Sequence, residues 1–301
     1  MNSKFKIWLS AARLRTLPLS VAGIITGNAL AIRSDQFSII IFILSLLTAV
    51  CFQIISNFAN DYGDGIRGTD NDERLGPQRT LQQGLLTAPE LKKGIAFTAL
   101  ISIFLSLILI YVSLGWNSLL ISILFLFLAF SAVIAAIKYT VGKTAYGYSG
   151  LGDLFVFLFF GLVSVLGAYY LQSKIINVEA IYFAVSIGLL SVGVLNLNNM
   201  RDISNDKNSQ KNTLAVIMGS KKAKLYHFFL IATSALTLLL GVGIDYLKTN
   251  QFYIIIFFPL IYHFLIVWNI KEPKAFDPLL KQLALSTFFI ALFLIFIFSI
   301  I

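Results

Sequence analysis

Nine stretches of roughly 20 predominantly apolar residues follow one another along this chain, each long enough to cross a bilayer as helix. They lie at about 17–32, 38–58, 95–113, 117–137, 152–171, 178–197, 225–244, 252–270 and 279–300. In hydrocarbon every backbone N–H and C=O needs an internal partner, which leaves only helices or a closed barrel. The length of each run and the weak strand-like alternation exclude a barrel. Only 12% of the residues are charged, about half the share of a soluble domain, and the mean hydropathy is +0.85. The fold class is therefore all-α and polytopic, a single transmembrane domain over residues 1–301 embedded in a lipid bilayer. The first run follows Lys4, Lys6, Arg13 and Arg15, as a signal peptide would. No convincing small-residue cleavage site follows it, and it is read as the first span.

Charge placement sets an orientation. With the N-terminus in the cytoplasm and nine alternating spans, every Lys and Arg except Arg33, Lys174 and Lys248 falls on the cytoplasmic side. The positive-inside rule then predicts a multi-pass protein of the bacterial cytoplasmic membrane, its C-terminus on the outer side. The same rule explains the net charge of +9 without a nucleic-acid partner. Cys51 is alone, so no disulfide forms within the chain. His227 and His263 are far apart in sequence with no Cys or His near them, and are read as ordinary helix residues rather than zinc ligands.

The loops are unequal. The outer ones, 33–37, 114–116, 172–177 and 245–251, are short. Two inner ones, about 59–94 and 198–224, are long, and loops of that length are commonly functional. They hold eight of the fourteen acidic residues: Asp61, Asp64, Asp70, Asp72, Glu73, Glu90, Asp202 and Asp206. The first opens with SNFANDYGDGIRGTD, residues 56–70. Stepping about 100° per residue puts Gln53, Asn57, Asn60, Asp61 and Asp64 in one arc of about 100°, a polar stripe continuing the second span. Gly63 and Gly65 are expected to loosen that helix, and Gly68 to permit a turn. The second loop opens with NLNNMRDISND, residues 196–206. Asn198, Arg201, Asp202 and Asn205 share a similar arc with Asp206 at its edge. Asn57-x3-Asp61 matches Asn198-x3-Asp202, so the two sites read as halves of a weak internal repeat facing each other across a bundle.

Carboxylates packed this closely repel one another, and a divalent cation relieves the repulsion. Oxygen donors without His or Cys favour Mg²⁺ or Mn²⁺ over zinc. Mg²⁺ takes one or two carboxylates, keeps waters and adds phosphate oxygens, so two facing Asp clusters suggest a diphosphate held through Mg²⁺. Arg67, Arg74, Arg79, Arg201, Lys207 and Lys211 stand nearby to neutralise a departing diphosphate.

These residues carry a resemblance. NDYGDGIRGTD, RLGPQRTLQQG and NNMRDISNDKNSQKNTLAV, in that order, resemble the UbiA-type membrane prenyltransferases, in particular those acting on 1,4-dihydroxy-2-naphthoate in menaquinone synthesis. ARLRTLPLS (12–20) and YTVGKTAYGYSGLGDLFVFLFFGLVSVLGAYY (139–170) extend the likeness over nearly the whole chain. The family's first motif reads N-D-x2-D-x3-D; Asn60, Asp61 and Asp64 match, position 68 is Gly, and the next acid is Asp70.

The resemblance implies nine transmembrane helices around a central cavity with Asp-rich motifs at its cytoplasmic mouth. It implies Mg²⁺, with Mn²⁺ able to substitute, held by Asp61, Asp64, Asp70, Asp202 and Asp206, of which all but Asp70 are assigned as catalytic. Asn57, Asn60, Arg67, Arg74, Arg79, Asn198, Arg201, Lys207 and Lys211 are expected at the diphosphate. Tyr139, Lys143, Tyr146, Tyr148 and Asp153 are expected at the aromatic acceptor. The implied reaction joins a polyprenyl diphosphate to 1,4-dihydroxy-2-naphthoate with loss of CO₂ and diphosphate. Three alternatives stay open: another aromatic acceptor such as homogentisate, a CDP-alcohol phosphatidyltransferase, whose motif Asp61-x2-Asp64-Gly65 mimics only in part, and a membrane transporter.

Overall fold

The structure is a computed structural model that describes residues 3–116, 118–243 and 251–300. Among them every regular element is helical, and nine helices are long and apolar enough to cross a membrane. They are α1 (Leu17–Arg33), α2 (Ile39–Arg67), α3 (Ala88–Leu114), α4 (Leu119–Lys138) and α5 (Gly152–Ser173). The rest are α6 (Val178–Arg201), α7 (Ser220–Val242), α8 (Phe258–Asn269, entered through a 3-10 turn Gln251–Phe257) and α9 (Phe276–Phe298). Lys248, one of the three expected outer cations, lies outside the described residues. A further helix, Lys4–Ala12, precedes α1.

The helix ends follow local chemistry. At the start of α3, Thr87 accepts from Glu90 N–H while the Glu90 side chain accepts from Thr87 N–H, a reciprocal cap. At the end of α2, Gly68 adopts φ 73° and its N–H closes on Gly65 O, the left-handed stop that glycine allows. Gly63 and Gly65 do not loosen the helix, which runs unbroken to Arg67. They are small because neighbours press against them. A Cβ on Gly63 would stand 2.7 Å from Thr140 Cβ, and one on Gly65 2.6 Å from Leu81 Cδ2.

The core lies around α6, which packs on α5, α7 and α9 and buries Phe183, Ile187, Leu190 and Leu197 completely. α2, α3 and α4 form a second group, and α1 joins the two through α2, α5 and α9. Within a bilayer, helices gain little by hiding apolar surface from lipid, so close approach at small residues does the joining. Gly23 and Gly27 of α1 meet the backbone of α5, and Gly161 of α5 meets Gly188 of α6. The middle of α5, Phe157–Leu166, is a π-helix. Ten residues in that form are unusual, and π-helical segments concentrate at functional sites.

His227 of α7 and His263 of α8 are not separate residues of their helices. Both are buried, and their Nε2 atoms lie 3.0 Å apart, one ring donating to the other.

Between α1, α2, α3, α4 and α5 lies a cavity of about 310 Å³. Ile24, Phe52, Leu128 and Phe160 are among its apolar walls, while Asn60, Tyr139 and Tyr146 mark the end that carries the long loops.

Candidate active site

Asp61 and Asp64 sit on the last turns of α2, one turn apart, both 1% exposed. Each has separate work. Asp61 accepts from Thr80 N–H at 3.1 Å, from the Thr80 hydroxyl and from Leu81 N–H at 3.1 Å. It fastens the returning loop to the end of α2. Asp64 is the hub. Arg79 Nη1 reaches it at 2.8 Å, the Tyr148 hydroxyl donates to it at 2.7 Å, and Lys211 Nζ lies 3.5 Å away. Asp70 receives Arg79 at 3.0 Å and Arg74 at 3.4 Å as ion pairs, yet neither of its oxygens has a hydrogen bond. Burial pushes Asp70 up to about 6 against the pull of those two arginines.

The second loop closes on the first. Arg74 bridges Asp70 to Asp202, the latter at 4.0 Å, and Asn205 Nδ2 donates to Thr69 O at 3.0 Å. Asp202 is gripped by its own neighbour, with Arg201 Nη2 at 2.7 Å and Nε at 3.1 Å. Arg201 reaches Asn198 at 2.8 Å and Asp277 at the start of α9. Asp206, on the short helix Ile203–Asn208, is buried and makes no ion pair among the described residues. Burial lifts it to about 6, with Lys211 opposing and Asp202 and Asp64 adding to the rise.

The two halves of the repeat thus meet, but their asparagines diverge. Asn57 donates to Ala12 O at 2.8 Å and to the Thr16 hydroxyl at 3.0 Å, tying α2 to the N-terminal segment. Asn198 serves Arg201 instead. Asn60 gives its carbonyl to Arg79, and Thr140 approaches its side chain at 3.4 Å.

Of the residues expected at the acceptor, Tyr148 stands inside the acidic cluster. Its hydroxyl lies between Asp64 and the Thr69 hydroxyl, 2.6 Å from the latter, and its ring lies under the Arg67 guanidinium at 4.1 Å. Burial and the Asp64 carboxylate hold that phenol well above its usual range. Tyr139 and Tyr146 line the apolar cavity, with Tyr146 stacked on Phe155 at 4.0 Å between centroids. Asp153 accepts from the Tyr226 hydroxyl at 3.1 Å. Lys143 and Lys207 are exposed and make no ion pair among the described residues.

Several participants carried no strong signal. Thr80 and Leu81 follow Arg79 in RTLQQG, but only the folded loop shows their N–H groups aimed at Asp61. Asp277 is distant in sequence, and Thr69 is one loop residue among many. A second cavity, about 490 Å³, flanks the cluster and is lined by Lys6, Arg13, Arg15, Arg74 and Arg79 as well as Asp61. Arg13 Nη2 is buried there with no hydrogen-bond partner.

Among the described residues no three acidic, His or Cys side chains stand ready to share one ion. The acids are instead neutralised by Arg74, Arg79, Arg201 and Lys211. The donor set still fits a hard cation. It is all oxygen, and Asp70 Oδ1, Asp70 Oδ2 and Asn205 Oδ1 are buried without hydrogen bonds. A greasy cavity therefore opens beside a buried, nearly balanced cluster of acids and cations.

Proteins of known sequence and structure resemble this chain. Residues 20–293 match the model of the UbiA prenyltransferase family. The chain is 41% identical over 295 residues to the 1,4-dihydroxy-2-naphthoate octaprenyltransferase of Haemophilus influenzae, covering 96% of this chain and 94% of that one. It is 42% identical over 238 residues to the enzyme of the same name from Escherichia coli, covering 79% and 77%. In structure it is similar to a UbiA homologue from Aeropyrum pernix, with TM-score 0.68, 17% identity and coverage of 95% and 98%. A UbiA homologue from Archaeoglobus fulgidus bound to GPP and Mg²⁺ matches with TM-score 0.66, 16% identity and coverage of 98% and 100%. With buried Asp motifs from both long loops and a family match over most of its length, the chain belongs to the UbiA prenyltransferase family.

Proposed function

We propose that this protein transfers a polyprenyl group from polyprenyl diphosphate to 1,4-dihydroxy-2-naphthoate, releasing diphosphate and CO₂ and giving demethylmenaquinol. The observation that carries the reading is the apolar cavity meeting the Asp–Arg cluster at Asn60, beside Asp61 and Asp64. A molecule with a hydrocarbon tail and a charged head is the substrate such a site fits. The naphthoate relatives supply the acceptor. The long loops face the cytoplasm, as the charge distribution expects.

The allylic C–O bond breaks and its electron pair leaves with diphosphate. The ring carbon bearing the carboxylate forms the new C–C bond. The bond from that carbon to the carboxylate then breaks, its pair restores the aromatic ring, and CO₂ departs. Asp64, Asp70, Asp202 and Asp206 would hold Mg²⁺, with Mn²⁺ as substitute, and the ion would neutralise charge on the departing diphosphate. Asp61 keeps the loop carrying Arg79 in place through Thr80 and Leu81. Arg74, Arg79 and Lys211 are near enough to the same carboxylates to reach a bound diphosphate. Tyr139, Tyr146 and Phe155 wall the adjoining cavity and keep water from the reacting carbon. The basic second cavity is suited to an anionic acceptor approaching from the loop side.

The test is a transfer assay on purified protein in detergent with 1,4-dihydroxy-2-naphthoate and a prenyl diphosphate. Prenylated product and CO₂ in equal amounts are expected with Mg²⁺ and neither with EDTA. Product with homogentisate but not with the naphthoate would overturn the acceptor; no product with any acceptor would overturn the transferase reading.

Acid is expected to weaken metal binding. Asp70 and Asp206 are both raised to about 6, chiefly by burial, and a cation requires them deprotonated. Mg²⁺ affinity should therefore be level at neutral pH and fall below about pH 6, approaching two proton equivalents or ~100-fold per pH unit. The fold responds with the opposite sign. Carboxyls raised in the folded state bind protons more tightly there, so the metal-free protein loses stability as pH rises from about 4 to about 6. Mn²⁺ titration across pH 5 to about 8, followed by paramagnetic resonance, checks this; a flat profile would discard it.

A further inference from the structure

Arg79 stands where a divalent cation is needed. Its Nη1 lies 2.8 Å from Asp64 and 3.0 Å from Asp70, and among the described residues it is the one side chain that pairs with both. The same nitrogen donates to the Asn60 carbonyl, and the side chain is 9% exposed. Its Nε is buried and has no partner. The main chain beside it is pinned, because Thr80 and Leu81 donate three hydrogen bonds to Asp61. Any rearrangement that frees Asp64 and Asp70 must therefore be made by the Arg79 side chain and not by its loop.

We infer that Arg79 is a built-in counter-ion that competes with the divalent cation for Asp64 and Asp70 and transfers to the diphosphate when the substrate enters. This rests on the metal–diphosphate reading above. A metal ion arriving alone has to displace a buried guanidinium and leave it unpaired, and breaking such a pair is costly. A diphosphate arriving with the ion gives the guanidinium a two-toothed anionic partner in exchange. The outcome is mutual dependence. Diphosphate raises metal affinity, and by thermodynamic linkage the metal raises diphosphate affinity by the same factor. The ligand-free protein meanwhile keeps its acids neutralised without holding a stray cation.

The test uses full-length protein in detergent and Mn²⁺ as the probe, with inorganic pyrophosphate added and free Mn²⁺ measured by paramagnetic resonance. Without pyrophosphate, Arg79→Gln is expected to bind Mn²⁺ about tenfold more tightly than the unaltered protein. Arg74→Gln is the control, since it also removes a cation beside Asp70, at 3.4 Å, but not the one shared with Asp64. An equal gain in both variants reduces the effect to general charge and overturns the inference, as does no gain in Arg79→Gln. The unaltered protein provides an arm independent of any variant's folding. Pyrophosphate is expected to raise its Mn²⁺ affinity about tenfold, and an unchanged affinity overturns the competition. Absence of Mn²⁺ binding in every protein and condition overturns the metal reading itself, which separates the two failures.

Discussion

Asp64→Asn is expected to reduce prenyl transfer on the order of 10³-fold while leaving a folded protein. The substitution keeps the shape of the side chain and an oxygen for the Tyr148 hydroxyl, which lies 2.7 Å away. What it removes is the charge that Arg79 at 2.8 Å and Lys211 at 3.5 Å converge upon. Those cations then lose their shared anion, and the site loses the carboxylate best placed to hold a metal. Arg79 retains Asp70 at 3.0 Å, so the fold has a second partner for the buried guanidinium and should survive at a cost of a few kcal/mol, roughly the loss of one buried pair. Glu73→Gln is the contrast. Glu73 is exposed and accepts from Asn208 at 3.0 Å, and its neutralisation should change turnover by less than about twofold. Steady-state assays of both variants, with melting curves, decide the matter. If Asp64→Asn kept more than a tenth of the activity, the hub assigned to this carboxylate would be wrong.

That cluster is partly legible in the sequence. The polar stripe on α2 follows from helical periodicity, and the structure keeps Asn57, Asn60, Asp61 and Asp64 on one continuous helix. The spans were legible for the same reason, since a bilayer imposes length and apolarity on each one separately. Two kinds of information stayed hidden. One is partnership across the chain: sequence places Arg79 near the acids but cannot say that it bridges Asp64 and Asp70, or that Thr80 occupies Asp61. Repulsion among acids suggested a cation, and the fold supplies several of its own from Arg74, Arg79, Arg201 and Lys211. The other is helix-to-helix approach. His227 and His263 are 36 residues apart in sequence, yet touch because α7 packs on α8. The π-helical stretch of α5 likewise has no periodic signature, because Phe157–Leu166 is apolar apart from Ser164.

Close approach is also where the fold should be most fragile. Gly161→Leu is expected to abolish recovery of monodisperse protein, and Gly161→Ala to lower the melting temperature by roughly 10 °C, corresponding to ~3 kcal/mol of overpacking. A Cβ at Gly161 would stand 2.6 Å from Gly188 Cα and 2.7 Å from the Ala184 carbonyl oxygen. Both obstacles are backbone of α6, so no rotamer change relieves the clash; α5 must move away. α5 cannot move freely, because Gly27 of α1 holds its other side, where a Cβ would come within 2.9 Å of Tyr169 N. Displacing α5 would also shift Phe155 and Phe159, which line the apolar cavity, so the activity lost should exceed what the melting temperature alone explains. Gly167→Ala supplies the control on the same helix. Its new Cβ would meet only Phe125 Cε1 at 3.6 Å, an ordinary contact, and alanine is the better helix former by up to ~1 kcal/mol. If the two alanine variants melted together, the close approach of α5 to α6 would not be what holds the core group around α6 together.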